Sequence, residues 1–342
     1  MNGSERSDPD DLARPERCAH AARARRICDV CEAAGRAYRA CSLACLTQHL
    51  SAEHPELEPR SSAERAHAHA NELNRGLADS WAGYAEHRQQ VTALIGGLPR
   101  GAELCVLGAG NCNDLDLEQI SAWFSQIHLA DLDGEALERA RERQSPAVRA
   151  KLRLHAELDL SGLIEHVDGW GEQFPDRAEL GRSAVLAAQS IVRSLGQSFP
   201  AVVSTCVLSE LVAPFERSWI TSRGNWGELL NALNAIHLAT LAGATRPGGQ
   251  GLLLFDTATS KDTPALGAQH GKTSERLAGF IDAALHEGSL HLKHSPERLL
   301  AQLSSPGLKP MVSDATVGAP WLWRVGPDTR LVFSLRFNRI SE

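Results

Sequence analysis

The feature that most constrains this chain is a short apolar run, Leu104–Leu107, that passes directly into Gly108-Ala109-Gly110 and then into the polar stretch Asn111–Asp114. An unbroken apolar run of that length reads as a strand buried on both faces, and glycines at its carboxyl end let backbone approach a ligand closely. About 20 residues later a second run, Ile127–Ala130, ends in Asp131-Leu132-Asp133, where a carboxylate can accept both hydrogen bonds of a ribose diol. This spacing suits a nicotinamide dinucleotide and other nucleoside cofactors alike. Asp133 is also placed to cap the following helix.

Two more runs, Ala201–Thr205 and Leu252–Phe255, read as strands of the same kind. Helical patterns lie between them: Leu117, Ile120 and Phe124, then Asp133–Arg143, then Leu229–Leu241. Strands alternating with helices predict an α/β chain with a doubly wound, mostly parallel sheet. Near the C-terminus, Pro320–Val325 and Arg330–Phe337 flank the turn-forming Gly326-Pro327-Asp328-Thr329, which predicts an antiparallel hairpin. Upstream of the first strand, Ala63–Gly96 reads as helix, with Leu73, Leu77, Trp81 and Tyr84 near one face.

The N-terminal region has a different character. Five of the eight cysteines fall at 18, 28, 31, 41 and 45. The ligand-like residues run Cys18 and His20, Cys28 and Cys31, Cys41 and Cys45, His49 and His54. Zn²⁺ takes four nitrogen or sulfur ligands, and structural sites draw them from such closely spaced pairs. One or two structural ions are therefore expected, and fully ligated zinc would stabilise a segment with almost no apolar core. Cys105, Cys112 and Cys206 read instead as small core residues. The expected organisation is a polar tail over 1–16, a zinc-binding module over 17–56, a linker and helical cap over 57–100, and a cofactor-binding domain over 101–342.

Composition narrows the partners. The net charge of −7 disfavours general binding to a phosphate backbone. No run approaches the about 20 apolar residues of a membrane span, and the first 25 residues lack an apolar signal core. A reducing cytoplasm is the expected setting, in which clustered cysteines bind metal.

Several of these motifs together resemble the class I S-adenosylmethionine-dependent methyltransferases over roughly 75–337. Val106-Leu107-Gly108-Ala109-Gly110 resembles their glycine motif, and Ala130–Leu137 their second-strand acidic motif. Leu158-Asp159-Leu160 stands where the family often has an acid facing the adenine amino group. Val202–Leu211 resembles the fourth strand with its catalytic loop, and Arg246–Gly249 the turn into the fifth. The closing hairpin is similar to the family's antiparallel seventh strand, which nicotinamide-binding Rossmann domains lack.

The resemblance implies a seven-stranded Rossmann-like sheet and S-adenosylmethionine as cofactor. It places Gly108, Ala109, Gly110, Asn111, Asn113, Asp131, Leu132, Asp159, Leu160, Thr205 and Trp81 at the cofactor. Val106 stands where the family has an acid, and Cys112 replaces its third glycine, which makes Asn111, Asn113 or Asp114 candidates for the methionine-end contacts. The expected catalytic residues are Glu210, His87 and Tyr84, with Trp81 and Tyr84 closing over the cofactor. Segments Ser161–Pro200 and Pro214–Asn225 read as insertions shaping the acceptor pocket. Cys41–His49 resembles half of a MYND finger, and the whole cluster a B-box or MYND module, which implies a possible protein partner. A small-molecule or peptide acceptor is the expectation. The alternatives are an RNA methyltransferase whose finger docks RNA, and a nicotinamide-dependent oxidoreductase.

Overall fold

In the computed structural model the described residues are 61–341, apart from 171–173 and 217–225, together with a few positions between 26 and 53. Among the latter, Arg26–Ile27 pairs antiparallel with Arg39–Ala40. Of the eight proposed zinc ligands, Cys31 and His49 are described, and Cys18, His20, Cys28, Cys41, Cys45 and His54 lie outside the described residues.

The body is one eight-stranded sheet with helices on both faces. Its strands are β1 Glu103–Leu107, β2 Gln126–Ala130, β3 Leu152–His155, β4 Phe199–Thr205, β5 Thr245–Thr259, β6 Val312–Val317, β7 Trp321–Val325 and β8 Asp328–Arg339. They lie in the order β3-β2-β1-β4-β5-β8-β6, with β7 also paired to β8. Strands β3, β2, β1, β4 and β5 run parallel, and β8 pairs antiparallel with β5. Strand β6 pairs with residues 335–339 of β8, and β7 with residues 328–332. Seven positions across the sheet thus hold eight strands, because β6 and β7 share one edge of β8 end to end. The β7–β8 hairpin turns on Gly326-Pro327, where Gly326 takes a φ of 58° that the tight turn requires.

Alternation along each parallel strand feeds two cores. Leu104 and Val106 of β1 and Val203 of β4 pack with Val91, Ile95 and Leu137 on one side. Cys105, Leu107 and Val202 pack with Ile191, Leu233 and Ile236 on the other. A strand buried on both faces has no polar side to show, which is why these runs read as continuously apolar.

The helices that matter for the site are α1 Ser62–Gly76, α2 Ala85–Gly96, α3 Gly134–Glu142, α4 Arg177–Ser194, α5 Leu208–Glu216 and α6 Trp226–Ala244. Helix α1 opens with a capping box: Ser61 Oγ accepts from the Glu64 N–H, and Glu64 accepts from the Ser61 N–H. Its first turn is tied to the body by Asp168, which accepts from Ser62 N–H at 2.7 Å and from its hydroxyl at 2.6 Å.

Three expectations are corrected. Ala63–Gly96 is two helices, α1 and α2, separated by residues 77–80 and a 3-10 turn over Trp81–Tyr84. Ser161–Pro200 contains α4, the crossover that returns the chain from β3 to β4, so most of it is required by the topology. Strands β3 and β6 were not located in the sequence, and the sheet has eight strands where seven were expected. No described helix is long and apolar enough to cross a membrane.

Candidate functional site

The parallel strands β1, β2 and β4, and the loop after β3, end on one cleft, the place where doubly wound sheets bind ligands. It has two joined chambers. The first lies between α1, the glycine turn, Asp131-Leu132, Leu158–Ser161 and the segment Thr205–Leu211. The second continues along Ala109–Asp114 to Leu77, Tyr84, Trp323, Val325 and Arg330. Gly108, Gly110, Leu73, Asn74, Thr205, Cys206 and Glu210 belong to both.

The turn after β1 needs its glycines. Gly108 has a φ of 74°, and a Cβ there would sit 2.6 Å from Val207 Cβ. Gly110, at φ 45°, leaves only 3.0 Å between such an atom and Asn74 Oδ1. Cys112, where the third glycine of the motif is missing, still adopts a φ of 52°. The backbone therefore keeps the glycine-type turn with a side chain in a conformation that L residues disfavour. Thr205 Oγ1 donates to Gly108 O at 2.9 Å and ties β4 to this turn.

Asp131 sits at the carboxyl end of β2. Its Oδ2 accepts from Gly110 N–H at 2.8 Å and its Oδ1 from Asp133 N–H at 2.9 Å. Each oxygen keeps a second lone pair. Burial pushes the carboxyl up to about 6, and the backbone bonds from Asp133 and Gly110 oppose that rise. Asp133 is turned away and caps α3 through Ala136 N–H at 3.0 Å. Asp159 lines the first chamber beside Leu160. Its Oδ1 accepts from the Ser161 N–H and hydroxyl, and its Oδ2 from Ile164 N–H, which shapes the loop after β3.

Asn111 and Asn113 line the second chamber, and their side-chain amides also tie the glycine turn to α1. Asn111 Nδ2 donates to Asn74 O at 2.6 Å, and Asn113 Nδ2 to Leu77 O at 2.7 Å. Both side chains are buried and hold the C-terminal end of α1 over the cleft. Arg143 adds a bond to Asn111 O at 2.7 Å.

The three expected catalytic residues fare differently. Glu210 lines both chambers, between His69 Nε2 at 3.8 Å and Arg330 Nη1 at 3.9 Å. Burial opposes its ionisation, but the bond from His69 and the charge of Arg330 outweigh that and hold it below the usual carboxylate value. Tyr84 walls the second chamber, edge-on to Trp323 at 4.9 Å. Burial and the nearby Asp114 push its phenol up, so it stays protonated. His87 lines neither chamber. It is 2% exposed, stacks on Trp323 at 4.1 Å and accepts through Nδ1 from Trp321 Nε1 at 3.1 Å. Burial lowers it to about 3, so it remains neutral behind Trp323. Trp81 also lies off the cleft, 42% exposed with the Arg88 guanidinium over its ring. Of the expected aromatic lid, only Tyr84 reaches the cavity.

Sequence reasoning missed the polar frame behind Glu210. Arg330 Nη1 donates to Asp256 Oδ2 at 2.9 Å, and Asp256 Oδ1 accepts from Ser209 at 2.8 Å. These residues come from β8, β5 and α5, and no local pattern links them. His69 and Asn74 enter from α1, where only hydrophobic spacing was legible.

The chain matches no protein-family model and no curated protein. It is similar to solved structures at low identity. An O-methyltransferase family protein from Burkholderia thailandensis is 15% identical, with 86% of this chain and 70% of that one covered at a TM-score of 0.39. A geranyl diphosphate methyltransferase in complex with SAM is 11% identical, with 76% and 85% covered at 0.35. An rRNA methylase from Streptococcus thermophilus is 8% identical, with 72% and 92% covered at 0.31.

Proposed function

We propose that this protein transfers a methyl group from S-adenosylmethionine to a small-molecule or peptide acceptor. The observation that carries the reading is antiparallel β8 lying between β5 and β6 in an otherwise parallel sheet, with the cleft at the carboxyl ends of β1, β2 and β4. A dinucleotide-binding Rossmann sheet has the order 3-2-1-4-5-6 without that inserted strand, which argues against the nicotinamide alternative.

The residues present fit the donor. The bare backbone at Gly108 and Gly110 admits close approach, and Asp131 has lone pairs for a ribose diol. Leu132, Leu158 and Leu160 give the first chamber apolar walls for a base. When bound, the donor supplies an electrophilic methyl on a sulfonium, and transfer requires in-line approach by the acceptor atom. Glu210 and Arg330, fixed by His69 and Asp256, orient polar groups at the junction of the chambers. Tyr84 and Trp323 give the second chamber an aromatic wall. Among the described residues Arg330 is the single Lys or Arg lining either chamber and is already ion-paired, which supports a small or peptide acceptor over RNA. Incubation with methyl-labelled donor and separate metabolite, peptide and RNA pools, read by mass spectrometry, tests the acceptor class. Label confined to RNA contradicts it.

The zinc module is part of the proposal. Cys31 Sγ and His49 Nε2 lie 3.3 Å apart and both are buried, a separation and donor pair compatible with shared zinc ligation. Among the described residues no group of three metal-ligating side chains gathers.

A further inference from the structure

The amino-acid half of the donor carries an ammonium group, and an ammonium in a desolvated cleft requires an anionic partner. Position 106 does not provide one, since Val106 is fully buried in the core. Asn111 and Asn113 have their amides committed to the carbonyls of Asn74 and Leu77. Asp114 remains. It lies at the end of the same turn, lines the second chamber, and is followed along that wall by Tyr84 and Arg330. Arg88, whose charge acts on it, directs its guanidinium to the carbonyls of Trp81 and Asn113. The positive φ of Cys112 bends the chain two residues before it.

We propose that Asp114 holds the ammonium group of the methyl donor, replacing the acid that the chain lacks at position 106. The assignment rests on the methyl-donor reading above. Burial pushes the Asp114 carboxyl up to about 7. A carboxyl so destabilised as an anion gains from a cation brought beside it.

The test is calorimetry on the full chain with two ligands, S-adenosylhomocysteine and 5′-methylthioadenosine. They share the nucleoside and the sulfur, but the second has no amino-acid half. Asp114→Asn is expected to weaken S-adenosylhomocysteine by about tenfold or more, or about 1.4 kcal/mol, and to leave methylthioadenosine within about twofold. Equal weakening of both ligands, or an unchanged affinity for the first, overturns the assignment. If the unaltered protein binds neither ligand, the donor reading falls and the assignment with it.

A pH titration of the unaltered protein gives a second readout that needs no variant. Below about pH 7 the proton on Asp114 must leave before the ammonium binds, so S-adenosylhomocysteine affinity falls by up to about tenfold per pH unit. Asp131, raised to about 6, faces the ribose common to both ligands and cancels in the comparison. Tyr84, Cys112 and Cys206 are pushed upward, Glu210 downward, and Arg88 and Arg330 stay charged in this range. Parallel pH profiles for the two ligands contradict the proposal.

Discussion

The side-chain amide of Asn111 donates to the main-chain oxygen of Asn74 at 2.6 Å, so the turn that ends β1 is also the clasp that holds α1 over the cleft. Helix α1 supplies Ala66, His69, Ala70, Leu73 and Asn74 to the wall, and its other end is anchored by Asp168. Ligand site and lid are therefore one hydrogen-bonded unit. Asn111→Ala leaves a carbonyl without its buried donor, which costs about 1–3 kcal/mol. A lower melting temperature and faster proteolysis within residues 61–80 are expected. Unchanged proteolysis there contradicts the clasp.

Gly108 tolerates no side chain. Gly108→Ala places a methyl 2.6 Å from Val207 Cβ, at a φ of 74° that alone costs about 1–2 kcal/mol. Val207 directly precedes α5 and cannot yield without moving it. Thermal melts should show destabilisation, and S-adenosylhomocysteine binding should be lost at temperatures where the variant remains folded. Binding equal to that of the parent chain contradicts the close approach.

Asp131 and Asp133, two residues apart, differ in what they do for affinity, although both changes cost stability because Asp131 also accepts from Gly110 and Asp133 N–H. Asp131→Ala removes the acceptor for ribose hydroxyls, and charge-assisted bonds of about 1.5–3 kcal/mol predict at least about a tenfold loss of affinity. Asp133→Ala removes the α3 cap and the contact to Arg139 at 3.5 Å, and costs about 1–2 kcal/mol of stability with little change in affinity. Melts and titrations of both variants check this, and the reverse pattern contradicts it.

How much was legible follows from burial. Strands β1, β2, β4 and β5 announced themselves because both of their faces are covered. Strand β3, Leu152-Arg153-Leu154-His155, is an edge strand of four residues with one buried position, too short and too mixed to stand out. Strand β6 alternates with exposed polar residues and carries Asp314 at a φ of 52°. The acid after β2 was readable from spacing, and so was the Asp133 cap. The roles of Asn111 and Asn113 were not, because their partners lie 37 and 36 residues upstream on a helix end that sequence extended straight through. His87 misled because a lone histidine beside aromatics gives no sign of whether it faces the cavity or the core.

The contact between Cys31 and His49 predicts that the intact protein carries zinc, roughly one or two ions per chain. Elemental analysis of protein purified without chelator checks the metal. Cys31→Ser should lower the zinc content and leave S-adenosylhomocysteine affinity in place. A metal-free protein, or full zinc content in the variant, contradicts the proposed ligation.

The most direct measurement is calorimetry of the full chain against S-adenosylhomocysteine and against NAD under the same conditions. The cleft at the ends of β1, β2 and β4, the acid at Asp131 and the antiparallel β8 predict saturable binding of S-adenosylhomocysteine and no heat from NAD. Saturable binding of NAD with no response to S-adenosylhomocysteine would contradict the account at its centre.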